Sequence, residues 1–345
     1  MYPGVASAHS VLVGIGPVVR RLSLPLLRVA ASATVLWFLF RQLGTAPFRA
    51  GLGAVTWQAV VSAVTLTALT TACSAWRWKV VARALGIDIG MPSAIGAYYR
   101  SLFLNSVLIG GVLGDVHRAV THGRRAGDVA RGLRAVGWER LSGQIIQALV
   151  TAVVLLTLPS PVRPALPYIL AGLAGVAGCA ALVVMRAARR GQSRLTRAAQ
   201  ALSDDLRHGL LARGVWPQLA LASVLVVAGH TATFVIAARV AGSTAPLGEL
   251  LPLLMVVQTA VVIPLSIAGW GLREGVAAWA FAAAGLGAAN GVTVATLYAV
   301  LMLAAVLPGA GLLLTDAIRR RRDRGEPGES RQPDPAPRAL VVARD

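Results

Sequence analysis

The chain has 345 residues, 56% of them hydrophobic and only 14% charged, with a mean hydropathy of +0.68. That composition spends its length on membrane spans and excludes an ordinary soluble domain. The formal charge of +19 belongs mostly to arginines between apolar runs; with no aromatic–basic module beside them, anionic lipid headgroups are the expected partner and nucleic acid is not.

A crossing of the hydrocarbon layer takes about 20 apolar residues. Runs of that kind occupy 25–43, 54–75, 137–157, 165–185, 215–238 and 291–315. Shorter or interrupted runs occupy 93–113, 249–266 and 274–289. The expected fold is an all-α polytopic membrane protein with about seven to nine membrane segments. Arg20, Arg21 and Arg28 precede the first run, but no small-residue cleavage site follows Trp37 to Phe40, so the run reads as a span and residues 1–19 as a short leading segment. Cys73 and Cys179 each lie in an apolar run and read as reduced packing residues. Span 165–185 has Ala171, Gly172, Gly175 and Gly178 at spacings that let helices approach closely. Residues 316–345 are rich in Arg, Pro and Asp and form a basic tail expected to stay disordered.

Orientation follows from the arginines. Dense clusters lie at Arg77–Arg83, Arg118–Arg134, Arg186–Arg213 and Arg319–Arg322, whereas the opposite loops carry scattered basic residues such as Arg163 and Arg239. All the dense clusters, and the tail, are expected to be cytoplasmic at the cell membrane. Both ends of 93–113 then want the same side, which a re-entrant hairpin satisfies and a full crossing does not. The second half reads likewise, with 249–289 as a re-entrant pair or two short crossings. The halves, roughly 54–157 and 215–315, would then be inverted copies.

Two stretches carry chemistry. In the first, Gly110, Gly111 and Gly114 interrupt an apolar segment that runs into Asp115 and Arg118. In the second, Pro264, Gly269 and Gly271 precede Arg273 and Glu274. Backbone broken at membrane depth must line protein or a cavity, and charges beside it are expensive unless used. Asp115 and Arg118 stand three apart and share a helix face. Glu139–Arg140 and Arg273–Glu274 are adjacent pairs that cannot neutralise each other along one face, so each charge needs a partner elsewhere. Inverted symmetry nominates Asp115 or Glu139 for Arg273, and Arg118 or Arg140 for Glu274. Each has an ordinary alternative: Asp115 and Arg118 as an interfacial cap with a snorkelling arginine, Glu139 and Arg140 as part of a ring of interfacial charges, Arg77 as a positive anchor at a span end. His230 reads as a packing histidine, and Trp37, Trp76, Trp78, Trp138 and Trp216 as an interfacial belt.

Arg77-Trp-Lys79, Gly110-Gly111-Val-Leu-Gly114-Asp115-x-x-Arg118, Glu139-Arg140 and Pro264 through Gly271-x-Arg273-Glu274 together resemble the flippase-like membrane part of lysylphosphatidylglycerol synthases, over roughly residues 20–315. Ile109 and Leu113, and Ile267 and Ala268, stand where that family usually has further proline and glycine. The resemblance implies a stand-alone membrane part without the aminoacyl-transferase domain. It also implies a role in moving a charged or glycosylated lipid between leaflets, with Arg77, Asp115, Arg118, Glu139, Arg140, Arg273 and Glu274 along the headgroup path.

Nucleophile elbows, phosphate loops and metal-ligand clusters are lacking, so no catalytic residue, metal or cofactor is expected. The expected function is lipid translocation rather than catalysis. The alternative is a membrane enzyme or accessory subunit acting on lipid-linked sugars in cell-envelope synthesis. A partner synthase or glycosyltransferase fits either reading, and the oligomeric state is not set by the sequence.

Overall fold

The computed structural model describes residues 29–161 except 31, 109 and 110; residues 214–261 and 270–325; and scattered positions between 162 and 213. Expected span 165–185, Cys179, most of the 186–213 arginine loop, residues 1–19 and 326–345, Gly110, Pro264 and Gly269 lie outside the described residues, wholly or nearly so.

The protein is an all-α polytopic membrane protein. After helical residues 32–43, the described helices are α1 (Ala46–Gly53), α2 (Trp57–Ala84), α3 (Met91–Val107), α4 (Leu113–Arg125) and α5 (Val129–Thr157), then α6 (Trp216–Val240), α7 (Leu247–Ala260), α8 (Leu272–Ala283) and α9 (Ala288–Gly325). Four of them are long and apolar enough to cross a membrane: α2, α5, α6 and α9. Local chemistry sets their starts. Thr56 accepts from the Ala59 backbone N–H at the head of α2, and Asp128 accepts from Arg131 N–H at the head of α5.

The helices repeat an order. Long, short, short, long describes α2–α5 with 28, 17, 13 and 29 residues, and again α6–α9 with 25, 14, 12 and 38. The second set runs the opposite way. The end of α2 and the start of α6 share a hollow lined by Arg83, Met91 and Val215, while the start of α2 packs its Ala59 and Ala63 with Phe234 and Ala237 near the end of α6.

The first short pair folds back on itself. Gly114 packs so closely on the Ser101 backbone that a Cβ there would collide with its carbonyl, and further down His122 and Arg125 meet Gly90 and Ser93. So α3 and α4 form an antiparallel hairpin, with Gly111 at φ +62° in the break between them. The described parts of the basic clusters (Arg83, Arg125, Arg131 and Arg319) gather at the open end of this hairpin.

Several boundaries differ from the sequence reading. Helix α2 continues past residue 75 through Arg77 and Arg83, because the basic residues follow the helical stripe rather than ending it. Helix α5 starts eight residues early, at Val129, where Asp128 caps it. Helix α9 runs past 315 into the expected tail. The main core joins α6–α9 with the first half of α2 around Phe234, Leu250, Phe281 and Leu301, and a second core holds α2–α5 together around Trp78, Val81 and Tyr98.

Candidate functional site

Five helices meet at one buried cluster, and three of them bring charged side chains to it. Arg77 lies on α2, Tyr98 on α3, Asp115 and Arg118 on α4, Glu139 and Arg140 on α5, and Ser223 on α6. At 1.5 Å per residue, Arg77 and Glu139 sit about 10–15 Å in from the basic ends of their helices. That depth is inside the apolar part of the bundle.

Glu139 is fully buried and saturated. Its Oε1 accepts from Arg77 Nε at 3.0 Å and Nη2 at 2.5 Å, and from the Tyr98 hydroxyl at 3.1 Å. Its Oε2 accepts from Arg118 Nη2 at 2.6 Å. Asp115 is equally engaged: Oδ1 accepts from the Ser101 hydroxyl at 2.8 Å and Arg118 Nε at 3.0 Å, and Oδ2 from Asn105 Nδ2 at 3.2 Å and Arg140 Nη2 at 2.5 Å. Asn105 turns its carbonyl oxygen to the Gly114 backbone N–H at 2.8 Å, tying the first turn of α4 to α3. Three arginines meet two carboxylates, so this knot carries a net charge of +1. Such a buried group is tolerated because nearly every charge has an opposite partner and further hydrogen bonds.

Two aromatic rings complete it. The Arg118 guanidinium lies 4.3 Å from the Tyr98 ring centre and 4.8 Å from that of Trp78, a cation held between π faces. Trp78 is therefore not part of an interfacial belt; it is 1% exposed, because the cation above it and the second core leave it no water. Trp138 is half-buried and donates to Asp205, whereas Trp37 and Trp216 are exposed.

Beside the knot lies a cavity of about 310 Å³ walled by α2, α3 and α5–α9. Arg77 and Arg140 reach it from the knot, and Arg273 reaches it from α8, with its guanidinium 5.3 Å from the centre of the Tyr298 ring. Polar stripes line the rest: Thr67, Thr70, Thr71 and Ser74 above Arg77 on α2, and Gln144 and Gln147 above Arg140 on α5. Both stripes follow helical spacing, so each helix turns one polar face inward. On α5 the apolar Leu141, Ile145, Leu149 and Val153 are exposed on another face, as lipid contact requires. Gly143 leaves room for the Arg77 guanidinium; a Cβ there would lie 2.6 Å from Nη1. A second cavity of about 490 Å³ opens at the basic end and is lined by Arg100, His117, Arg118, Arg125 and Arg319. The knot stands between the two, Arg118 bordering one and Arg77 and Arg140 the other.

A known family matches this chain over residues 26–309, described as the lysylphosphatidylglycerol synthase TM region. The chain belongs to that family. No curated protein and no solved structure matches it. Family membership and the apolar helices make it a multi-pass membrane protein concerned with lipids.

The placement of the sequence-selected residues in this family member is mixed. Asp115, Arg118, Glu139, Arg140 and Arg77 converge, and Asp115 pairs with Arg118 as their spacing predicts. Arg273 joins them at the cavity wall, but the pairings expected for the second motif do not form. The carboxylates of Asp115 and Glu139 are filled by Arg77, Arg118 and Arg140. Glu274 turns to its own helix instead, its Oε2 accepting from the Gly271 backbone N–H at 2.7 Å, with Gly271 at φ +82° as the N-cap. His230 borders the cavity and lies 3.3 Å from the Tyr298 hydroxyl, a hydrogen-bonded histidine. Sequence reasoning missed Tyr98, Gly143, Ser223 and the Thr and Gln stripes; the stripes were visible as hydroxyls and amides at three- and four-residue spacing inside apolar runs. Among the described residues no cluster of His, Cys, Asp or Glu has metal-site geometry.

Proposed function

We propose that this protein is a carrier, not an enzyme, that moves a charged or glycosylated lipid between the leaflets of the cell membrane. The observation that carries the reading is the cavity between the spans, bordered by Arg77, Arg140 and Arg273. Guanidinium groups donate in a fork that matches phosphate, and inside an apolar bundle such a polar chamber has little use except for a polar cargo. The cargo's acyl chains stay in lipid while its headgroup passes the basic end cavity, the knot and the central cavity in turn. The α3–α4 hairpin fits a re-entrant element entering from the cytoplasmic face, since its open end collects the arginines of the dense loops. The α7–α8 pair enters from the other side, giving the inverted repeat that places a binding site between two broken helix pairs. The Gln and Thr stripes would receive headgroup hydroxyls.

The test is lipid exchange in liposomes holding the purified protein. A fluorescent phospholipid in the inner leaflet should become accessible to an outside quencher faster than in protein-free vesicles. Arg140→Gln should slow this without removing the protein from the bilayer. Exchange no faster than in empty vesicles contradicts the proposal.

A further inference from the structure

The family's name points to a lipid bearing lysine, whose headgroup is cationic; the walls of this cavity argue for the opposite sign. Accepting an ammonium at membrane depth calls for a carboxylate facing the cargo. None is there. Neither Asp115, Glu139 nor Glu274 borders the cavity, and Arg77, Arg140 and Arg273 do. Asp115 and Glu139 each take four hydrogen-bonding or ion-pair contacts from the knot, so arginines already neutralise both before a ligand arrives. Glu274 holds the Gly271 N–H with Oε2 at its helix start and does not line the cavity.

The local charge makes the same point. Four arginines (Arg77, Arg118, Arg140, Arg273) against three acids (Asp115, Glu139, Glu274) leave 4 − 3 = +1. A headgroup of charge −1 brings the chamber to neutrality, while one of charge +1 raises it to +2 in surroundings of low dielectric. Size adds a limit: 310 Å³ holds about ten waters at roughly 30 Å³ each, enough for one phosphate with a short polyol.

From these walls we infer that the cargo is a monoanionic phosphodiester lipid with a small neutral headgroup, such as unmodified phosphatidylglycerol, and that an aminoacylated cationic lipid is rejected. The inference rests on the central cavity being the cargo site, as in the proposed function, and it is tested by binding rather than by transport.

The full chain in detergent is titrated with short-chain phosphatidylglycerol, lysylphosphatidylglycerol, phosphatidylcholine and inorganic phosphate, following its thermal unfolding. Phosphatidylglycerol should bind at least about tenfold tighter than the other two lipids, since like charges in a desolvated site are strongly discriminated against. Arg273→Gln should narrow that gap. Gln144→Glu, which places a carboxylate on the cavity wall, should shift the ratio about tenfold toward the cationic lipid and serves even if the arginine variant does not fold. Equal or tighter binding of lysylphosphatidylglycerol, or no lipid binding, overturns the inference. So does inorganic phosphate that stabilises as well as the anionic lipid, which would mark a free-anion site. Selective binding without leaflet exchange would leave this inference standing and remove the translocation proposal. Exchange of both lipids at equal rates would do the reverse.

Discussion

Glu139→Gln probes the knot at the point on which most depends. The side chain is fully buried, and its two oxygens collect Arg77, Arg118 and Tyr98. The amide keeps the shape but removes the charge, and its NH2 faces arginine donors in place of an acceptor. Arg77 retains the Ser223 hydroxyl and Arg118 retains Asp115, so neither is left bare, yet the cluster rises from +1 to +2. Removing one partner of a buried pair is worth about 3–5 kcal/mol. By contrast Glu274→Gln keeps an oxygen to accept from the Gly271 N–H and loses only a charge at the helix start, worth about 0.3–1 kcal/mol. Thermal unfolding in detergent, read by size-exclusion fluorescence, should therefore show a large drop for Glu139→Gln and a small one for Glu274→Gln. Cycles sharpen the test: Glu139→Gln should couple to Arg77→Gln by about 1–3 kcal/mol and add simply with Arg273→Gln, which touches neither of its oxygens. A Glu139→Gln protein within about 0.5 kcal/mol of wild type, or strong coupling to Arg273, would refute this account of the knot.

Gly114→Ala forces a methyl into the Ser101 backbone and should destabilise the α3–α4 hairpin by about 1–3 kcal/mol, measured by the same unfolding assay. Gly143→Ala pushes on the Arg77 guanidinium instead, so lipid binding should weaken about tenfold or more while the protein stays folded, as loss of one charged hydrogen bond implies. Cys73 is a free, half-buried thiol, and Cys73→Ala should unfold within about 1 kcal/mol of wild type. A cysteine at position 125 should be labelled only from the cytoplasmic side, as the arginine density of 118–134 predicts. The Arg131 backbone N–H holds the half-buried Asp128 carboxyl below the usual carboxylate range, so its help to the start of α5 is in place above a pH of about 3.9 and fades as pH falls through the lowered value; amide exchange at the first turn of α5 should rise only there.

Much of this was legible in the sequence because apolar periodicity and charge placement act locally. The long spans, the break before Asp115 and the split partners of Glu139 and Arg140 all follow from spacing along single helices. What spacing cannot report is which faces of different helices meet. Trp78 near the end of an apolar run has the signature of an interfacial residue, and only the approach of α4 turns it into half of a cation sandwich. Arg77 had the signature of an anchor, yet α2 continues a further turn or two and carries it inside. Glu274 failed as a cross-motif partner because the nearest unsatisfied donor was its own helix start, three residues away, and local capping wins over a distant ion pair.

The most direct measurement of the central claim is leaflet exchange in liposomes with wild-type protein, Arg140→Gln and Arg273→Gln side by side, using a fluorescent anionic phospholipid and an outside quencher. The account predicts rapid loss of inner-leaflet signal with wild type and at least about tenfold slower loss with each variant, since each removes a charge that borders the cavity. Folded, inserted wild-type protein that leaves the inner leaflet as protected as in empty vesicles would contradict it.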